Sequence, residues 1–202
     1  MKKIEEILDG VYQVENFISN DLCQFIINNM NNEVAETPRK NIYGSIQSKY
    51  PDFLSLIGEY SEKKNYNLSI DIINNIFLSM GYVVSEIYKE QHYLKQTFYS
   101  VMKPGSDNEP HLDNYYYNDG QLILRKKAKN DKSCVLYLND NYSGGTLDFI
   151  SYGKSFIPKP GTLIIFEGND KKLHGVSKVI DGDRCNIITF FEPQRKDDML
   201  WI

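Results

Sequence analysis

The spacing of apolar positions changes partway along the chain. Leu22, Phe25, Ile26 and Met30 recur as one helix face, and Ser19 or Asn20 stands where an N-cap belongs. Asn31, Asn32 and the segment 38–44 read as loop, and Pro51 opens a short predicted helix through Leu54 and Ile57. A longer helix starts at Ser69 and puts Ile72, Ile73, Ile76, Phe77, Met80, Val83, Val84 and Ile87 on one stripe. Gly81 costs that helix about 1 kcal/mol relative to Ala, which close packing against a neighbour would explain. From Leu94 onward the period is two. Strands are predicted at 96–102, 121–125, 133–138, 146–150, 161–166, 174–179 and 184–191. Turn signals such as Asn139-Asp140-Asn141, Ser143-Gly144-Gly145 and Asp181-Gly182-Asp183 separate them. Short, evenly spaced strands predict a sandwich, jelly roll or barrel. The expectation is a single domain over 1–202, mainly helical over 1–92, with the β core over 93–193.

Composition narrows this picture without redirecting it. A chain of 202 residues, 41% hydrophobic and 25% charged, buries an ordinary core. A net charge of -4 argues against nucleic acid as a partner. The basic run Arg125, Lys126, Lys127, Lys129 and Lys132 reads as a solvated loop. The three cysteines show no CxxC spacing, so neither a disulfide framework nor a zinc knuckle is indicated; Cys134 and Cys185 read as small buried hydrophobes. The N-terminal Met1-Lys2-Lys3-Ile4-Glu5-Glu6 lacks the apolar stretch of a signal peptide, and no window approaches the ~20 apolar residues of a membrane span. A cytoplasmic setting is therefore expected, and the oligomeric state is left open.

Candidate chemistry gathers on two of the three histidines. In Glu109-Pro110-His111-Leu112-Asp113, His111 and Asp113 share strand parity, so an imidazole and a carboxylate face the same way. His174 opens a later strand that a barrel can bring beside them. Two histidines and a carboxylate on one side of an ion form the facial triad that suits non-haem iron(II) and leaves positions open. His92 is expected at a surface near a helix end, outside this set. Arg184 offers a planar, permanent cation for a buried carboxylate. If 174–180 and 184–191 form a hairpin with the three-residue loop Asp181-Gly182-Asp183, then His174, Arg184 and Phe190 share a face. In that register Val176, Asn186 and Ile188 also point inward and line a cosubstrate pocket. A two-residue loop would turn Arg184 outward.

Several motifs occur in a fixed order. Phe17-Ile18-Ser19-Asn20-Asp21-Leu22-Cys23 comes first, followed by Lys103-Pro104-Gly105 and the His111-x-Asp113 segment. Next come Leu136-Tyr137-Leu138-Asn139-Asp140 and Gly144-Gly145-Thr146-Leu147-Asp148-Phe149. Pro158-Lys159-Pro160-Gly161-Thr162-Leu163-Ile164-Ile165-Phe166, His174-Gly175-Val176 and Arg184 complete the set. Together they resemble the prolyl 4-hydroxylase-like branch of the 2-oxoglutarate/iron(II) oxygenases over about residues 15–193. The resemblance implies a double-stranded β-helix (jelly roll) backed by N-terminal helices. It implies Fe(II), 2-oxoglutarate and O2, often with ascorbate, and oxidative decarboxylation of 2-oxoglutarate to succinate coupled to substrate hydroxylation. His111, Asp113 and His174 would hold the metal, and Arg184 the distal carboxylate. Tyr137, Val176, Asn186 and Leu147 would join it around the cosubstrate.

Two departures stand out. Val101 and Met102 occupy the region where the family often carries a carboxylate-binding tyrosine, which leaves Tyr99 or Tyr137 as candidates. Arg184 stands where several relatives have lysine. The segment 114–121 reads as a substrate-side lid or as plain surface. The resemblance favours a prolyl residue of a peptide or protein as substrate. A free amino acid or other small molecule is the alternative, and a non-catalytic jelly-roll module a more distant one. No second arginine follows Arg184 closely, unlike in nucleic-acid repair relatives.

Overall fold

The structure is a computed structural model that describes residues 3–36, 46–49, 70–119, 121–125 and 130–193. The predicted helix at 51–57, most of the loop at 38–44 and the tail with Trp201 lie outside these residues.

Two helices form as the apolar stripes predict. In α1 (Asn20–Glu36), the Ser19 hydroxyl accepts the Leu22 amide at 3.3 Å, so Ser19 is the N-cap. The helix continues through Asn31 and Asn32, which the sequence reading placed in a loop. In α2 (Ile70–Tyr88), a Cβ at Gly81 would lie 3.1 Å from the Phe191 ring. Close packing onto the sheet is the reason for that glycine. The Ser85 hydroxyl donates to the Gly81 carbonyl and accepts the His92 amide, turning the chain from helix into strand.

The strands form two antiparallel layers. The larger holds β1 (Glu5–Leu8), β2 (Val11–Val14), β3 (Ile46–Lys49), β4 (His92–Met102), β8 (Lys132–Tyr137), β12 (Leu163–Glu167) and β15 (Arg184–Pro193). Their order is β1-β2-β12-β8-β15-β4-β3. The smaller layer is β5 (Asn108–His111), β10 (Leu147–Phe149), β11 (Lys154–Phe156) and β13 (His174–Val176), in the order β11-β10-β13-β5. Two two-stranded ribbons pair β6 (Tyr115–Asn118) with β7 (Gln121–Leu124), and β9 (Ser143–Gly144) with β14 (Val179–Asp181). This is a mainly β double-stranded β-helix with helical backing. The N-terminal part gives the large sheet three strands as well as the helices.

Alternation divides each central strand between two cores. Cys134, Leu136, Tyr99, Val101, Cys185, Ile187 and Phe191 face the helices, with Ile26, Met80 and Val84 packed on them. Val135, Tyr137, Ile164 and Phe166 face the small sheet and meet Leu147 and Phe149. The space between the sheets closes into apolar core at one end and opens into a cavity at the other.

Candidate metal centre and cosubstrate pocket

His111 and His174 are directly opposed across β5 and β13, with ring centroids 4.4 Å apart. Each Nδ1 lies 2.8 Å from a backbone carbonyl two residues earlier, Glu109 for His111 and Lys172 for His174. A carbonyl only accepts, so Nδ1 donates and the Nε2 lone pair is left for a metal. Phe166 packs edge-on against the His174 ring at 4.7 Å, with Phe149 at 6.0 Å, which fixes its plane.

Asp113 completes the group. Its Oδ1 is 3.4 Å from His111 Nε2 and its Oδ2 is 3.7 Å from His174 Nε2. The three donor atoms lie within 4.8 Å of one another. Burial alone would raise the Asp113 carboxyl. His174, His111 and the Ser133 hydroxyl outweigh it and hold the group well below the usual carboxylate range. Burial lowers His174, whereas Asp113 raises His111 against its own burial. An ionised carboxylate beside two Nε2 lone pairs is a donor set that fits iron(II).

Arg184 lies in the same cavity and is 2% exposed. Its Nη2 donates to the Tyr137 hydroxyl at 3.0 Å, and its Nη1 reaches Met102 Sδ at 3.4 Å. Both partners are neutral, and Nε has no partner. Among the described residues no carboxylate pairs with this guanidinium. Gly145, at φ 60, gives it room, since a Cβ there would lie 3.0 Å from Arg184 Cδ. Burial pushes the Tyr137 hydroxyl up to about 12 despite Arg184, so it keeps its proton. Having accepted from Arg184, that O–H can still donate. Asn186 is fully buried on the cavity wall, and both its side-chain polar atoms lack partners.

The cavity is about 890 Å³, in the range of small-molecule sites. Three strands supply successive rows of its wall. Met102 pairs with Arg184; next come Ser100, Asn186 and Tyr137, then Phe98, Ile188 and Val135, and then Gln96, Phe190 and Ser133. Phe98 and Phe190 meet edge to face at 6.3 Å. Beyond them Lys95 bonds Asp131 at 2.5 Å and lies 3.5 Å from Glu192. A bulge opposite Phe190 and Phe191 breaks the alternation of β4, so Lys95 and Gln96 both line the cavity.

His111, Asp113, His174, Arg184, Tyr137, Val176, Asn186 and Leu147 all lie on this one cavity. Tyr99 does not. It belongs to the helix-facing series of β4, fully buried in the other core, because from Gln96 onward the pocket takes the even-numbered positions of that strand. Met102 stands beside Arg184 instead.

The expected hairpin of 174–180 with 184–191 is also absent. β13 pairs with β10 and β5, β14 pairs with β9, and β15 pairs with β4 and β8. His174 and Arg184 approach from opposite sheets rather than along one. The lid segment is an ordered hairpin, with Asn118 opposite Gln121 and the Arg125 amide bonded to the Asn114 carbonyl. The Asp119-Gly120 pair in the sequence is a hairpin signal. His92 is buried rather than at the surface, against the Tyr88 ring, and apart from the triad. Lys132, read as part of a solvated run, is buried and bonds Glu167 at 2.6 Å. Ser133, Ser100, Phe98 and Met102 were missed, although strand parity with Tyr137 or Arg184 would have found them.

The jelly roll thus brings two histidines and one carboxylate that could hold a metal ion into a single cavity with a buried cation. The sequence profile of the 2OG-Fe(II) oxygenase superfamily matches residues 97–192. Prolyl 3-hydroxylase 1 of Gallus gallus is 33% identical over 97 residues, which is 43% of this chain and 13% of that protein. The chain thus spans about an eighth of the length of that curated relative. The structure of the viral collagen prolyl hydroxylase vCPH from Paramecium Bursaria Chlorella virus-1, in its 2OG complex, superposes with TM-score 0.63 at 16% identity. It covers 94% of this chain and 100% of that one. A Pseudomonas putida prolyl-4-hydroxylase gives TM-score 0.61 at 20% identity, over 92% of this chain and 94% of that one. Residues 97–192 thus carry the sequence pattern of the 2OG-Fe(II) oxygenase superfamily, and the fold is shared with these two structures.

Proposed function

We propose that the protein is an iron(II)- and 2-oxoglutarate-dependent dioxygenase that hydroxylates a prolyl residue of a peptide or protein. The observation that carries this reading is Arg184. A guanidinium shut away from water beside neutral partners is costly, and an anion entering the cavity removes that cost. The distal carboxylate of 2-oxoglutarate is such an anion, and the triad lies in the same cavity to take the keto acid's other end.

His111, Asp113 and His174 would hold iron(II). With 2-oxoglutarate and O2 the iron supplies the oxidation of an unactivated C–H, 2-oxoglutarate leaving as succinate and carbon dioxide. The chain's own groups do the placing. Arg184 and the Tyr137 hydroxyl grip the distal carboxylate, Asn186 offers a donor and an acceptor along the chelating chain, and Leu147 and Val176 exclude water beside it. On the other flank, Ile188, Phe98 and Phe190 form an apolar wall on which a saturated ring can rest. The β6–β7 hairpin brings Tyr115, Tyr116 and Leu122 to the cavity mouth, where a peptide backbone would pass.

The names of the relatives support a prolyl substrate, and a cavity with room beyond the keto acid supports a peptide over a free metabolite. Ascorbate, as re-reductant of the iron, and a reducing cytoplasmic setting belong to the same proposal; none of the three cysteines forms a disulfide. The test is succinate release from the full chain with iron(II) and 2-oxoglutarate, offered proline-rich peptides in one arm and free amino acids in the other. Peptide-dependent succinate with a mass gain of one oxygen is expected. Turnover with free amino acids alone would replace the substrate, and no chelate absorption on anaerobic mixing would remove the oxygenase reading.

A further inference from the structure

Asp113 carries the single carboxylate of the triad, and its two oxygens are not equivalent. The Ser133 hydroxyl donates to Oδ2 at 2.5 Å. Ser133 is 1% exposed, on β8, with its backbone paired to Phe166 on one side and Phe190 on the other. Strand parity directs its side chain to the cavity with Val135 and Tyr137. From the opposite side, Gly168 abuts Asp113: a Cβ there would come within 2.7 Å of the Asp113 Cβ, and the Asn114 amide bonds the Gly168 carbonyl at 3.1 Å. The hydroxyl thus holds the carboxylate, and the Gly168 backbone confines the Cβ from which it hangs.

We propose that Ser133 is a positioning residue that restricts Asp113 to one-oxygen coordination of the metal. This rests on the triad binding a metal, as proposed above. The physics is a competition for lone pairs. Oδ2 gives a lone pair to the Ser133 O–H, while Oδ1 faces His111 Nε2 at 3.4 Å with no hydroxyl on it. Two histidines and one oxygen would supply three ligands to a metal held here and would leave positions free for the keto acid and dioxygen. A carboxylate free to swing and bind through both oxygens would take a fourth. Ser133 therefore acts on two quantities, the metal affinity, by fixing the ligand's direction, and the number of positions left for the cosubstrate.

The experiment uses cobalt(II) as a redox-silent probe on the full chain under anaerobic conditions, followed by 2-oxoglutarate. Parent, Ser133→Ala and Ser133→Thr are compared, with circular dichroism confirming that each is folded. Loss of a supporting partner to a ligand costs about 10–100-fold in metal affinity, so Ser133→Ala should bind cobalt weaker by roughly that factor. Its cobalt complex should also take up 2-oxoglutarate less tightly than the parent complex does. Ser133→Thr keeps the hydroxyl and should bind cobalt and 2-oxoglutarate as the parent does. Ser133→Ala matching the parent, or a folded Ser133→Thr as weak as Ser133→Ala, overturns the role of Ser133 and leaves the metal site standing. A parent chain that binds no cobalt overturns the metal site itself, and the role of Ser133 with it.

Discussion

Arg184 sets the residue-scale question, because a permanent charge is held where water does not reach. Without cosubstrate it is a liability to the fold. Replacing a buried, poorly compensated ion with an apolar side chain of similar reach is often neutral or stabilising. Arg184→Met should therefore melt no lower than the parent in the absence of 2-oxoglutarate, while losing the anion. Hydrogen bonds to charged groups contribute about 1.5–3 kcal/mol each. The concentration of 2-oxoglutarate needed for half-maximal succinate release should thus rise by roughly 10–100-fold. An unchanged requirement would mean that the distal carboxylate is held elsewhere. Tyr137→Phe removes one neutral donor and should raise the same requirement by about fivefold. At this scale the sequence was most readable where chemistry and parity coincide, as in His111-x-Asp113. It misled at Tyr99, because a tyrosine on a strand carries no mark of which face is wet. Tyr99 and Ser100 are both buried, one in a hydrophobic core and one on the cavity wall.

Among the elements, the strands were legible and their partners were not. The reading of 174–180 against 184–191 as a hairpin brought His174, Val176, Arg184, Asn186, Ile188 and Phe190 to one pocket, and all six line it. They do so from two sheets, since β13 and β15 never pair. Periodicity fixes which side chains share a face of one strand. It does not say which strand lies next in a jelly roll, where chain neighbours cross between layers. The bulge that turns Lys95 into the cavity is a deviation from period two, so a periodic reading cannot see it. The Gly168 segment makes the element scale testable. This glycine has ordinary backbone angles, so only space forbids a side chain there. Overpacking typically costs 1–3 kcal/mol. Gly168→Ala should shift Asp113 and weaken cobalt binding by roughly tenfold or more, with the far-ultraviolet spectrum unchanged. A Gly168→Ala chain with parental affinity would show that the loop gives way instead of the ligand.

For the whole molecule, the large sheet separates a dry helical face from the chemically equipped one. The three thiols report on the dry side. Cys23, Cys134 and Cys185 are at most 1% exposed, and burial pushes the Cys23 thiol up to about 11. The thiolate is the reactive form, so a thiol reagent at pH 8 should label none of the three in the folded chain and all three in denaturant. Labelling of one thiol under native conditions would mark where the helical layer opens.

The other face reports through linkage. A metal that binds only the folded chain stabilises it by about 2.7 kcal/mol at a hundred times its dissociation constant. For a chain of this length each kcal/mol moves Tm by about 2–4 °C, so cobalt(II) at that excess should raise the parent's Tm by roughly 5–10 °C. Asp113→Ala should fold, because its neighbours Ser133 and His111 both keep other backbone partners. It should show almost none of the metal-dependent rise and release no succinate. A full rise in Asp113→Ala would place the metal away from this carboxylate. A lost rise with succinate release intact would mean that the reaction needs less of the triad than its geometry implies.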